Sequence, residues 1–145
     1  MIALIQRVTQ ANVVVEDEII GEIKTGILLL LGVEKEDTEK NADNLLQKVI
    51  NFRIFEDTDH KMNLSLQDIK GSLLIVPQFT LPADTNKGTR PSFAAAASPG
   101  RGRQFYEYFI SLAKTKVKHV ETGEFGADMQ VSLINSGPVT FWIQK

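Results

Sequence analysis

Two short segments of this chain carry polar groups where packing alone would not require them. Gln78-Phe79-Thr80-Leu81 sets polar side chains at alternate positions directly after the apolar run Leu73-Leu74-Ile75-Val76. Asn135-Ser136-Gly137-Pro138 lies between two strand-like runs. Each has a plain structural reading: a strand end with satisfied polar groups for the first, a hairpin turn for the second. Thr80 brings a hydroxyl, which becomes a nucleophile only beside a base, and the sequence offers no convincing one. Gly137 would let the main chain approach a ligand closely, since it has no Cβ, and Pro138 fixes its own φ.

Other chemistries are poorly supplied. The chain has no Cys, which excludes disulfides, thiolate metal sites and a Cys nucleophile. Its two histidines, His60 in an acidic turn and His119 after a lysine-rich helix end, are isolated, so no metal site is expected. No GxSxG elbow, HExxH, Walker A loop or GxGxxG occurs. Lys87-Gly88-Thr89 echoes a phosphate loop without its upstream glycine, and Asn63-Leu64-Ser65 fits a glycosylation acceptor with nothing to indicate secretion. The formal net charge of -2 does not advertise nucleic-acid binding. Even so, Lys87, Arg90, Arg101, Arg103, Lys114, Lys116 and Lys118 gather in one stretch, either a solvated helix face or a local phosphate-facing patch.

The elements that must position these segments follow from periodicity. With 145 residues, 43% of them apolar, one domain over 1–145 is expected. Ile2 to Val8, Asn12 to Val15 and Ile19 to Ile23 read as strands, with a polar turn at Glu16-Asp17-Glu18. Gly26 to Val33 and Leu73 to Val76 read as strands buried on both faces, and Pro77 should end the hydrogen bonding of the second. Gln78 to Leu81 is expected to continue extended, and Asp84 to Pro91 to form a polar loop. Ala42, Leu45, Leu46, Val49 and Ile50 make one helical stripe, capped by Asp37 or Thr38. Phe52 to Phe55 and Met62 to Leu66 read as short strands. Ser98-Pro99 opens a second helix with the stripe Phe105, Tyr108, Phe109, Leu112 and Ala113, frayed at Gly100 and Gly102. Met129 to Leu133 and Val139 to Ile143 alternate as strands. The fold class is α+β, a largely antiparallel sheet or half-barrel with two main helices packed on one side. Apolar residues on both sheet faces point to a partner subunit covering part of it. No run reaches membrane-span length, and the start lacks a signal peptide, so a cytoplasmic protein is expected.

Pro77-Gln78-Phe79-Thr80-Leu81 and Asn135-Ser136-Gly137-Pro138-Val139-Thr140 resemble the two signature motifs of D-aminoacyl-tRNA deacylases. The resemblance runs along the chain. It takes in Met1-Ile2-Ala3-Leu4-Ile5-Gln6-Arg7-Val8, Leu31-Gly32-Val33, Arg53-Ile54-Phe55, Lys61-Met62-Asn63-Leu64, Arg90-Pro91-Ser92-Phe93 and Ala127-Asp128-Met129-Gln130-Val131. It implies a cytoplasmic homodimer without cofactor. The implied reaction is hydrolysis of the ester joining a D-amino acid, or glycine mischarged on tRNA for alanine, to the 3′ end of tRNA. It further implies that Gly137-Pro138 is joined by a cis bond and reaches into the partner's pocket, braced by Arg7. The pocket is then formed by Gln78, Phe79 and Thr80, with Met129 close by. Two departures from the family pattern stand out: Pro77 replaces the usual Ser, and Phe125-Gly126-Ala127-Asp128-Met129 carries Gly126 in place of Ala.

An aminoacyl ester is already activated, so donors aimed at the oxyanion matter more than a strong nucleophile. The backbone N–H groups of Phe79 and Thr80, which come free where the strand ends, are the candidate donors, and the resemblance implies attack by water with the 2′-hydroxyl of the tRNA assisting. A different class of reading is a non-catalytic nucleic-acid-binding module using the basic stretch, and a third is a dimeric interaction domain.

Overall fold

A computed structural model of the chain describes residues 1–86 and 88–145. Lys87, part of both the basic stretch and the phosphate-loop echo, lies outside the described residues. The order is β1 (Ile2–Val15), β2 (Glu18–Ile23), β3 (Gly26–Gly32), α1 (Glu39–Ile50), β4 (Phe55–Glu56), β5 (Met62–Leu64), β6 (Ser72–Pro77), α2 (Pro99–Lys116), β7 (Val120–Thr122) and β8 (Gln130–Gln144). The two runs expected before Glu16 join into one long β1, and Phe52 to Ile54 stay outside the ladder.

β1 organises the sheet. It pairs antiparallel with β8 along almost its whole length and with β3 and β2 on successive stretches. β3 then pairs parallel with β6, and β6 parallel with β7. The sheet is therefore mixed, because α1 and α2 serve as the crossovers that parallel neighbours require. β2 also packs near β6 and β7, curling the sheet into a half-barrel. Inside it lie Val8, Val13, Ile23, Leu28, Leu74 and Val76. The outer face meets α1 and α2 through Ile5, Ile27, Leu29, Leu45, Val49 and Phe109. Each fully buried side chain of this size contributes roughly 1.5–3 kcal/mol. The chain thus buries much of both sheet faces by itself, a duty the sequence had left partly to a partner.

The helices form as their stripes predict. Thr38 is the N-cap of α1, in a reciprocal box with Asn41, and Ser98 precedes Pro99 at the start of α2. In α2 the buried side is Gly102, Phe105, Tyr106, Phe109 and Ala113. Tyr108 instead stands half-buried, its hydroxyl donating to Asp43 at 2.9 Å. Gly102 is buried against Phe125 rather than frayed. No helix among the described residues is long and apolar enough to cross a membrane.

One buried charge group locks the ends of these elements together. The Met1 ammonium meets Glu34 at 2.8 Å and Asp37, and donates to the Lys145 carbonyl at 2.7 Å. Arg101 of α2 donates to the Asp37 carbonyl. Burial works to raise the Glu34 carboxyl, but hydrogen bonds from the ammonium and Gln144 outweigh it and hold Glu34 below its ordinary value. A carboxyl lowered in the folded state contributes stability above its unfolded pKa and loses it as the pH falls through the lowered value. Asp37→Asn leaves the ammonium buried with a weaker partner, and is expected to cost about 3 kcal/mol in urea unfolding at neutral pH. Glu34→Gln should also destabilise the protein at neutral pH, and its gap from the parent should narrow as the pH falls through the lowered Glu34 value.

Candidate active site

β6 stops where its sequence dictates, at Pro77, which has no N–H for the ladder. The Gln78 N–H still reaches the Leu31 carbonyl at 2.8 Å, and the chain then turns. The Leu81 N–H donates to the Gln78 carbonyl at 3.3 Å and that of Ala83 to the Thr80 carbonyl at 3.1 Å. Residues 79–82 are thus a turn and not the extended continuation expected from alternation. Having lost both strand neighbours, the N–H groups of Phe79 and Thr80 have no acceptor among the described residues. The Gln78 side-chain amide donates to the Thr80 hydroxyl at 2.6 Å. Among the described residues, no carboxylate or imidazole is hydrogen-bonded to that hydroxyl. Phe79 is 63% exposed, its ring 5.3 Å from that of Phe93.

The turn rests on a rigid edge. A Cβ built on Gly123 would fall 2.8 Å from the Met129 sulfur and 3.3 Å from Pro77 Cδ, so Met129 and Pro77 meet over this glycine. The Gly123 N–H donates to the Ile75 carbonyl at 2.8 Å. Tyr106 Oη lies 2.9 Å from the carbonyl oxygens of both Ile75 and Gly123. Burial pushes the Tyr106 phenol far up, so it stays a protonated donor at any working pH. Tyr106 thus ties α2 to the strand ends beneath the turn. Sequence reading passed over it in favour of Tyr108, although the spacing 102, 105, 106, 109, 113 follows the helical repeat.

Asn135-Ser136-Gly137-Pro138 is not a hairpin. Both halves of β8 pair with β1, with Thr140 opposite Gln6 and Asn135 opposite Val8, so residues 136–139 bulge out opposite Arg7 alone. Arg7 is buried in β1, and its guanidinium holds the bulge. Nε donates to the Ser136 carbonyl at 2.8 Å and Nη1 to the Ile54 carbonyl at 2.7 Å, while Nη2 stands 3.7 Å from Glu56. Asn135 staples the base, accepting from the Val139 N–H at 2.7 Å and donating to the Thr140 hydroxyl at 2.9 Å. Gly137-Pro138 is a cis bond, and Gly137 has φ +141°. A Cβ there would lie 2.6 Å from Val139 Cγ2 and 3.1 Å from Arg7 Nη2, so only glycine fits. Both residues are exposed at the tip.

Within one chain the two segments stay apart. Pro77 is level with Leu31 on β3, whereas Arg7 is level with Ile27. Four residues of strand separate those levels, about 13 Å along the sheet, and β3 and β1 intervene between β6 and β8. Gln78, Phe79, Thr80 and Met129 are gathered at one end; Arg7, Gly137 and Pro138 are gathered at the other. Ile54, Glu56 and Asn135 brace the second group; Asn135 lies in the motif itself, whereas no sequence pattern marked Glu56 for this role. The His60 ring, exposed to solvent, lies 3.4 Å from Glu56. Among the described residues, no three His, Asp or Glu groups are placed to hold a metal ion.

Residues 4–144 match the family described as D-Tyr-tRNA(Tyr) deacylase. The chain belongs to that family. It is 57% identical over 144 residues to the D-aminoacyl-tRNA deacylase of Salmonella arizonae, covering 99% of each chain. The enzyme of the same name from Salmonella newport matches equally. A solved structure described as c-Myc DNA Unwinding Element Binding Protein superposes with a TM-score of 0.94 at 40% identity, covering 100% of this chain and 99% of that one. A probable eukaryotic D-amino acid tRNA deacylase shares the fold, with a TM-score of 0.84 at 17% identity and 98% of each chain covered.

The Arg7 clamp has a direct test. Arg7→Lys keeps the charge but cannot hold the Ile54 and Ser136 carbonyls together, with an expected cost of about 1–3 kcal/mol. Amide exchange at Val139 should accelerate about tenfold or more, while exchange in the middle of α1 stays at its parental rate relative to global stability.

Proposed function

We infer that this protein is a D-aminoacyl-tRNA deacylase. Membership of the family supports the activity, and one geometric observation carries the mechanism: the adjacent, unpartnered N–H groups of Phe79 and Thr80 at the turned end of β6. Water adds to the ester carbonyl carbon, and the resulting oxyanion is received by those two donors. Each such donor is worth roughly 2.7–4 kcal/mol where it has been measured. Collapse expels the ribose oxygen, which takes up a proton, and free D-amino acid and tRNA leave. The 2′-hydroxyl of the terminal ribose assists the attack. Thr80 is not the nucleophile in this reading, because its hydroxyl is engaged by an amide donor and lacks a base.

Selection of the D form is steric. The L and D esters carry the same groups and differ only in where side chain and hydrogen point, so a wall must stand in the way of one of them. The Gly137-Pro138 bulge, held by Arg7 and Asn135 and exposed at its tip, has the rigidity a wall needs. Because it lies far from Gln78 in its own chain, it serves the pocket of a second copy in a two-fold homodimer. The surface supports such pairing. The cross-strand row Trp142–Leu4–Leu30–Val76 leads from β8 to the foot of Gln78, and Trp142 is 51% exposed. Glycine has no side chain to exclude, so glycine mischarged on tRNA for alanine is a substrate as well. The enzyme works in the cytoplasm, where its substrate is made.

Incubation with D-tyrosyl-tRNA and its L counterpart at substoichiometric protein tests the reading. D-selective turnover is expected, and salt-sensitive binding without release would favour a nucleic-acid-binding module. Thr80→Ala should retain measurable turnover; an acyl group trapped on Thr80 would refute the water mechanism. Gly137→Ala should reduce D-over-L discrimination about tenfold or more, equivalent to about 1.4 kcal/mol. Sedimentation at micromolar concentration should show a dimer, and a monomer that is fully active would remove the shared pocket.

A further inference from the structure

Three lysines from separate elements converge on one small cavity at the far side of α2. The cavity, of about 270 Å³, is lined by Leu66, Gln67, Lys70, Gly71, Lys116, Val117 and Lys118. Lys116 ends α2, and its charge suits the negative end of the helix dipole. That account does not extend to Lys70, in the turn before β6 with φ +52°, or to Lys118, in the link to β7. All three side chains are exposed, none is in an ion pair among the described residues, and no acidic residue lines the cavity. In a chain of net charge -2, such a gathering makes a local positive surface that favours an anion.

The position of the cavity within the sheet indicates which anion. Lys70 stands two residues before Ser72, which is level with Gly26, and Gly26 is level with Val8. The Gly137-Pro138 bulge stands opposite Arg7, at this same end of the sheet. β6 and β8 are three strand spacings apart, about 14 Å. In the two-fold dimer proposed above that bulge borders the partner's pocket, which puts the lysines at the end of the sheet that faces the pocket's rim.

We propose that Lys70, Lys116 and Lys118 form a phosphate-backbone contact for the acceptor arm of the aminoacyl-tRNA held by the partner subunit's pocket. The identity of the RNA rests on the deacylase reading. The contact supplies affinity without sequence preference, since phosphate oxygens carry no base information. It acts on binding and not on the chemical step.

The test compares the parent protein with a Lys70→Ala/Lys116→Ala/Lys118→Ala variant on D-tyrosyl-tRNA, on the minimal ester D-tyrosyl-adenosine, and on uncharged tRNA in direct binding. The variant should weaken binding of uncharged tRNA about tenfold and raise KM for D-tyrosyl-tRNA similarly. Its kcat, and its kcat/KM on the minimal ester, should match the parent. The slope of log affinity against log salt should fall by about 2–3, as expected for three lost phosphate contacts. A Lys→Arg version of all three positions should retain parental binding. Unchanged binding of uncharged tRNA, or an equal loss on the tRNA and the minimal ester, would overturn the proposal. Equal competition by a DNA duplex of the same length would also overturn the assignment to the acceptor arm. Absence of hydrolysis of either ester by the parent protein would count against the deacylase reading, whereas tRNA binding would still judge the lysines.

Discussion

A single buried guanidinium governs the shape of the Gly137-Pro138 bulge. Arg7 sits where β1 would otherwise pair with β8, and its N–H groups go to the Ser136 and Ile54 carbonyls. Four residues of β8 then stand opposite one residue of β1. A bulge of that size forfeits ladder hydrogen bonds, and a buried carbonyl left without a donor costs on the order of 1–3 kcal/mol. The planar fork of arginine meets two carbonyls at once, which a lysine ammonium does not do in the same fixed geometry. The bulge can therefore be both irregular and rigid, the combination that a steric wall requires.

The pocket end follows the same economy of side chains. There the N–H groups of Phe79 and Thr80 are left without an acceptor among the described residues because the chain turns after Gln78. Beneath the turn Tyr106 reaches the Ile75 and Gly123 carbonyls, and Met129 and Pro77 both pack close to Gly123. In the proposed reaction such a site needs no perturbed acid or base, because an aminoacyl ester needs charge stabilisation more than activation. The Met1 ammonium and Asp37 tie the start of β1 to the segment that leads into α1.

Much of this architecture was legible in the chain. The stripe Ala42, Leu45, Leu46, Val49 and Ile50, the Ser98-Pro99 start of α2 and the apolar runs of β3 and β6 appear where periodicity places them. Local rules were strong there because each element buries one face against neighbours that demand a fixed repeat. They failed where long-range pairing decides. Alternation at Gln78 to Leu81 looks like a strand, but a strand needs a neighbour, and β3 ends with Gly32. Asn135 to Pro138 looks like a hairpin turn, but β1 is long enough to pair with both sides of it.

Residue types and order thus determined the class of fold, the two motifs and the absence of any Cys-based chemistry. Those properties depend on composition and on interactions within a few residues. Only the tertiary structure decided that Arg7 belongs to Ser136 and Ile54, that Tyr106 and not Tyr108 braces the strand ends, and that the two motifs lie at opposite ends of one chain. Each of these rests on which strands pair and in what register, and register is an energy summed over the whole sheet that no local segment contains.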